Sequence, residues 1–133
     1  MQMSPHRTPS VAAPTIVVVD DDAAVRNSLK FSLEIEGFSV RTYASPREVL
    51  SSEALPPVSC LIVDQNMPGM SGLNLLATLR QRGDHTPAIL VSAHATATLR
   101  DEAAHRGVTV VEKPFIGNVL VDRIRAMITR TAG

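Results

Sequence analysis

Little in this chain of 133 residues is unbalanced, and the gaps in its composition exclude several functions at once. Lys and Arg number 13, the same as Asp and Glu, so the net charge is zero. A dedicated nucleic-acid surface is normally basic, and direct nucleic-acid binding is therefore not expected. Cys60 is the only cysteine, which excludes an internal disulfide. It sits beside an apolar run and reads as a small buried hydrophobe. No apolar stretch is long enough to span a membrane. Residues 1–14 are rich in Pro and Ser and lack the apolar core of a signal peptide. They read as a disordered tail on a cytoplasmic protein, ahead of one domain over residues 15–133. No internal repeat is present.

What is present is a set of short apolar runs that end in chemistry. Thr15-Ile16-Val17-Val18-Val19 is continuous and β-branched, as a parallel strand covered on both faces should be. It runs into Asp20-Asp21-Asp22, where Asp22 is placed to cap a helix over residues 23–36. That helix carries Val25, Leu29, Ser32 and Leu33 on its inner face and stops at Gly37. Residues 38–43 form a second strand. Ser45 and Pro46 start a second helix that ends near Ser52, and Leu55-Pro56-Pro57 is a loop. Cys60-Leu61-Ile62-Val63-Asp64 is a third strand, and a Pro68-Gly69 turn leads to a helix over residues 72–82 with Leu75, Leu76 and Leu79 inward. The fourth strand covers residues 88–92. The helix after it, over residues 96–105, is Ala-rich with little apolar surface and is a candidate for movement. Residues 108–111 are a fifth strand, followed by Glu112-Lys113-Pro114. The last helix, over residues 117–131, buries Leu120, Ile124, Met127 and Ile128. Strands alternating with helices imply parallel βαβ units and a doubly wound α/β sheet.

A parallel sheet puts all its strand ends along one edge. Asp20, Asp21, Asp64, Ser92 and Lys113 therefore converge. Each alone has an ordinary structural explanation, as cap, loop acid, turn serine or surface lysine. All of them at one edge do not. Clustered carboxylates stay ionised only with a cation nearby, and an all-oxygen set suits Mg²⁺ held by carboxylates, water and a phosphate. A carboxylate beside Mg²⁺ can take a phosphoryl group as an acyl phosphate, while Lys113 neutralises charge and Ser92 donates a hydrogen bond. No His or Cys stands at these ends, which disfavours zinc and thiol chemistry. Consecutive acids without a closing Glu do not make a tight calcium loop.

Val19-Asp20-Asp21-Asp22, the stretch from Asp64 to Gly72 (Asp-Gln-Asn-Met-Pro-Gly-Met-Ser-Gly), Ser92-Ala93-His94 and Glu112-Lys113-Pro114-Phe115 resemble the response-regulator receiver family of two-component signalling. The wording is most similar to the FixJ-type subfamily of this CheY-like superfamily. The resemblance covers about residues 14 to 131. It implies a flavodoxin-like five-stranded sheet of order 2-1-3-4-5 with five helices. It implies Asp64 as phosphoacceptor, Ser92 as switch hydroxyl and Lys113 as the phosphate-pairing cation, with a cis Lys113-Pro114 bond. It assigns Mg²⁺ to Asp20, Asp21, Asp64 and the backbone carbonyl of Asn66. Asn66 and His94 occupy the positions that tune water attack on the acyl phosphate, although His94 reads equally well as an exposed loop imidazole. Val110 stands where the family usually has Tyr or Phe, so the usual hydroxyl-to-aromatic relay is incomplete. The resemblance also implies a histidine kinase or histidine phosphotransfer protein as donor. The fourth-helix, fifth-strand and fifth-helix face would carry the output and a possible phosphorylation-dependent homodimer.

The leading expectation is a phosphorylated signalling domain and not a dedicated enzyme, either stand-alone or the receiver of a FixJ-like transcription factor. One alternative is a pseudo-receiver that binds partners without phosphorylation, which Val110 favours and the intact acid cluster opposes. The other is a Mg²⁺-dependent aspartyl phosphohydrolase. Such enzymes need a second acid two residues after the nucleophile, where this chain has Asn66.

Overall fold

The computed structural model describes residues 13–52, 57–115 and 118–132. The tail expected over residues 1–14 lies outside these apart from Ala13 and Pro14, and Leu55, Pro56 and Gly117 lie outside as well. The carbonyl of Pro14 already accepts from the Ser39 amide at 2.9 Å.

Five strands and five helices alternate: β1 Thr15–Val19, α1 Ala23–Ile35, β2 Ser39–Tyr43, α2 Pro46–Ser51, β3 Cys60–Asp64, α3 Gly72–Gln81, β4 Ala88–Ser92, α4 Ala97–His105, β5 Thr109–Glu112 and α5 Val119–Ala132. The sheet is parallel throughout with order β2-β1-β3-β4-β5. Alternate residues of each strand point to opposite faces, and this splits the core in two. Val17, Val19, Leu61, Val63 and Leu90 pack with Val49 of α2, Leu75, Leu76 and Leu79 of α3, and Leu99 and Ala103 of α4. Ile16, Val18, Ile62, Ile89 and Val91 pack with Leu29 and Leu33 of α1 and Leu120, Ile124 and Met127 of α5. Each fully buried Val, Leu or Ile contributes roughly 1.5–3 kcal/mol. The unbroken apolar runs are thus the cause of the three-layer build.

The caps follow the residue chemistry. Asp22 accepts from the amides of Ala24 and Val25, Ser45 from Glu48, Ser71 from Asn74 and Thr96 from Leu99. Several expectations shift in detail. Helix α1 ends at Ile35, and Ser32 is exposed, because its buried stripe narrows to Leu29 and Leu33 with Val25 half-buried. Strand β5 pairs from Thr109 to Glu112, one residue later than expected, and Val108 is buried in the lead-in after the positive-φ Gly107. Ile128 of α5 is only half-buried. Cys60 is fully buried, as expected of a small hydrophobe. Helix α4 buries only Leu99 and Ala103. Among the described residues no helix is long and apolar enough to cross a membrane.

Candidate functional site

The order of the sheet reverses between β1 and β3, and the C-terminal ends of these neighbouring strands flank the crevice where open α/β sheets bind ligands. Asp20 follows β1 and Asp64 ends β3. Among the described residues only three polar or charged side chains are buried: Asp20 at 1%, Asp64 at 5% and Ser92 at 1% exposure. All three lie at this edge.

Each is held by its own strand and by its neighbours. The Asp20 amide donates to the Tyr43 carbonyl at 3.2 Å, and Asp20 Oδ1 accepts from the Asp22 amide at 2.9 Å. Lys113 Nζ stands 3.4 Å from Asp20 Oδ2 and 3.3 Å from Asp64 Oδ1, so one ammonium faces two buried carboxylates. The Lys113-Pro114 peptide is cis. Asp21 is exposed, yet one carboxylate oxygen from each of Asp20, Asp21 and Asp64 lies within 4.8 Å of the others. Three carboxylates against one ammonium leave the crevice negative, and the donors are all oxygen. Such a set fits a hard divalent cation such as Mg²⁺.

The electrostatics agree with the geometry. Burial raises the Asp64 carboxyl above the usual carboxylate range, and the charge of Asp20 adds to the rise. Lys113 and the backbone N–H of Asn66 pull it back in part. For Lys113 burial works against the charged form, but Asp64 and Asp20 outweigh it and its affinity for the proton is raised.

The other candidates fall where the strands and turns put them. Ser92 Oγ accepts from the His94 amide at 3.1 Å, and the Ser92 carbonyl accepts from the Lys113 amide at 2.8 Å. Asn66 and His94 are exposed. Val110 is half-buried against the cluster that holds α4. Behind Asp64, α3 approaches so closely that a Cβ on Gly72 would stand 2.5 Å from the Asp64 carbonyl and 2.7 Å from Leu90 Cδ1. Gln65 pins this approach, its carbonyl accepting from the Gly72 amide and its Oε1 from the Leu73 amide, both at 3.0 Å. The sequence pattern marks Gly72 only as a motif residue at a helix start and assigns nothing to Arg26, whose Nη1 donates to the Asp20 carbonyl at 2.7 Å. The only signal for Arg26 is a cation one helical turn past a run of acids.

A doubly wound sheet of order 2-1-3-4-5 with five helices is the CheY-like form of the flavodoxin fold. The chain belongs to the response regulator receiver domain family, whose profile matches residues 16–125. It is therefore a signalling domain of two-component systems. The transcriptional regulatory protein FixJ of Azorhizobium caulinodans is 38% identical over 116 residues, 86% of this chain and 55% of that protein. The solved structure of FixJ-N is similar with a TM-score of 0.80 at 31% identity, over 90% of this chain and 96% of that one. The response regulator TrrA of Thermotoga maritima, solved in complex with Mg(2+)-BeF, is similar with a TM-score of 0.74 at 27% identity, over 86% of this chain and 98% of that one. The chain spans about half the length of the curated relatives it matches.

Proposed function

We propose that Asp64 accepts a phosphoryl group from the phosphohistidine of a histidine kinase or a histidine phosphotransfer protein. The observation that carries this is the gathering of the buried polar side chains at one sheet edge, with Lys113 between Asp20 and Asp64. A carboxylate oxygen of Asp64 attacks phosphorus, the phosphorus–nitrogen bond breaks, and the imidazole leaves. Asp20, Asp21, Asp64 and the Asn66 carbonyl would hold Mg²⁺, which when bound offsets charge on the phosphoryl oxygens. Lys113 supplies a second positive charge in the crevice, and Ser92 supplies a hydroxyl at the end of β4. Phosphoryl transfer asks mainly for such positioning and charge neutralisation. Asn66 and His94, both exposed at the mouth, set how water reaches the acyl phosphate.

The output follows from what is loosely held. An added dianion draws Ser92 and Lys113 toward it and biases the weakly packed α4, together with β5 and α5. Val110 carries no hydroxyl or ring, so α4 moves against an aliphatic side chain in place of an aromatic rotamer. The face of α4, β5 and α5 then meets an output domain, a partner or a second copy. The FixJ-type likeness supports a transcription regulator as the context.

Incubation with acetyl phosphate, read by intact mass, tests the chemistry. One added phosphoryl group that requires both Mg²⁺ and Asp64, as judged by Asp64→Asn, is the expected result. No gain in a folded, Mg²⁺-bound protein would favour a phosphorylation-independent interaction module.

A further inference from the structure

We propose that Arg26 is a positioning residue for the cation site, holding Asp21 in place relative to Asp20; the inference rests on the Mg²⁺-dependent reading above. Arg26 lies in the first turns of α1, half-buried, and its Nη1 donates to the Asp20 carbonyl at 2.7 Å. That carbonyl belongs to the peptide unit that joins Asp20 to Asp21. The unit is planar, so its oxygen and the next Cα move together. Anchoring the oxygen fixes where Asp21 departs from the strand.

The two acids depend on this anchor to different degrees. Asp20 is held independently, through its amide on Tyr43, its Oδ1 under the Asp22 amide and its Oδ2 near Lys113. The Asp21 side chain has no hydrogen bond or ion pair among the described residues and is exposed. Its carboxylate nevertheless stands within 4.8 Å of the other two. Only the backbone that carries it keeps it there, and Arg26 bonds to that backbone. Among the described residues Arg26 makes no ion pair with any of the three acids, so it orients the peptide without occupying the carboxylates.

Charge and positioning predict opposite signs. A guanidinium near a cation site repels the cation, so charge alone makes Mg²⁺ bind more tightly when Arg26 is removed. Positioning makes it bind more weakly. Groups that orient metal ligands typically change affinity by about ten- to hundredfold. Repulsion across a solvent-facing crevice is screened and smaller.

The test is a calorimetric Mg²⁺ titration of the whole chain as wild type, Arg26→Met and Arg26→Lys, with amide NMR spectra of the metal-free proteins to verify the fold. Arg26→Met keeps the apolar stem and loses donor and charge; its Mg²⁺ affinity is expected to fall by about tenfold or more. Arg26→Lys keeps a donor and is expected to recover part of the loss. Should Arg26→Met fail to fold, Arg26→Ala takes its place. Affinity equal to or tighter than wild type in a folded neutral variant would overturn the inference alone. A wild-type protein that bound no Mg²⁺ would overturn it together with the metal-dependent reading.

Discussion

The amide of Lys113 donates to the carbonyl of Ser92 at 2.8 Å, so the hydroxyl and the ammonium at the crevice are carried on directly bonded backbone. A pull on either residue is felt by the other and by the start of the loop into α4. Ser92→Ala removes the hydroxyl and its bond from the His94 amide, a change worth about 1 kcal/mol. We expect Asp64 to remain labelled by acetyl phosphate in this variant. The amide shift changes that labelling causes in α4 should shrink, and NMR spectra of the labelled variant and wild type read this directly.

Asp64 costs the metal-free fold stability. Its folded proton affinity is raised by burial and by Asp20. Between the unfolded value, about 3.9, and the folded one, the native state holds a proton that the unfolded state has lost. Stability therefore falls as pH rises through that window, and the deficit is complete above it. Asp64→Asn should accordingly raise the melting temperature at pH 7 without Mg²⁺. The gain should vanish below about pH 4 and shrink when Mg²⁺ is added. Lys113 runs the other way: its contribution is complete below about pH 10.4 and is lost as pH rises through its raised folded value. Thermal melts across pH, with and without Mg²⁺, separate the two.

Gly72 is set by contact and not by backbone conformation. A methyl group there meets the Asp64 carbonyl and Leu90 Cδ1 well inside van der Waals distance. Gly72→Ala should destabilise the domain by about 1–3 kcal/mol in denaturant titrations. It should also slow labelling of Asp64, because relief of the clash moves the end of β3.

Cys60 is a reporter of unfolding. Burial pushes its thiol up to about 12, whereas an unfolded thiol ionises near about 8.5. Between these values the unfolded state has lost its proton and the native state has not, so this group lowers stability as pH rises through that window. At neutral pH a disulfide reagent should leave the native thiol untouched over the time it modifies the urea-unfolded chain completely. Fast native labelling would place Cys60 at the surface.

The strands and their chemical ends were legible because both signals are local. A β-branched run closing on an acid, a hydroxyl or a lysine needs no tertiary knowledge, and parallel pairing brings Asp20, Asp64, Ser92 and Lys113 to one edge. The division between neighbours was not legible. Asp20 is buried and Asp21 exposed, although both follow the same strand, because only Asp20 turns under Lys113 and the Asp22 amide. Arg26 on a helix reads as an ordinary surface cation until its partner, a backbone carbonyl six residues earlier, is seen. Ser32 sits at helical spacing with Leu29 and Leu33, but the sheet meets α1 along a narrower stripe and leaves it in solvent.

The most direct measurement is the position of the phosphoryl group. Borohydride reduces an aspartyl phosphate to homoserine, and tandem mass spectrometry of the peptide containing Asp64 locates the change. Protein treated with acetyl phosphate and Mg²⁺ should carry homoserine at position 64 and lack it when Mg²⁺ is chelated. Homoserine at Asp20 or Asp21, or an unmodified Asp64 in a protein shown to bind Mg²⁺, would contradict the account.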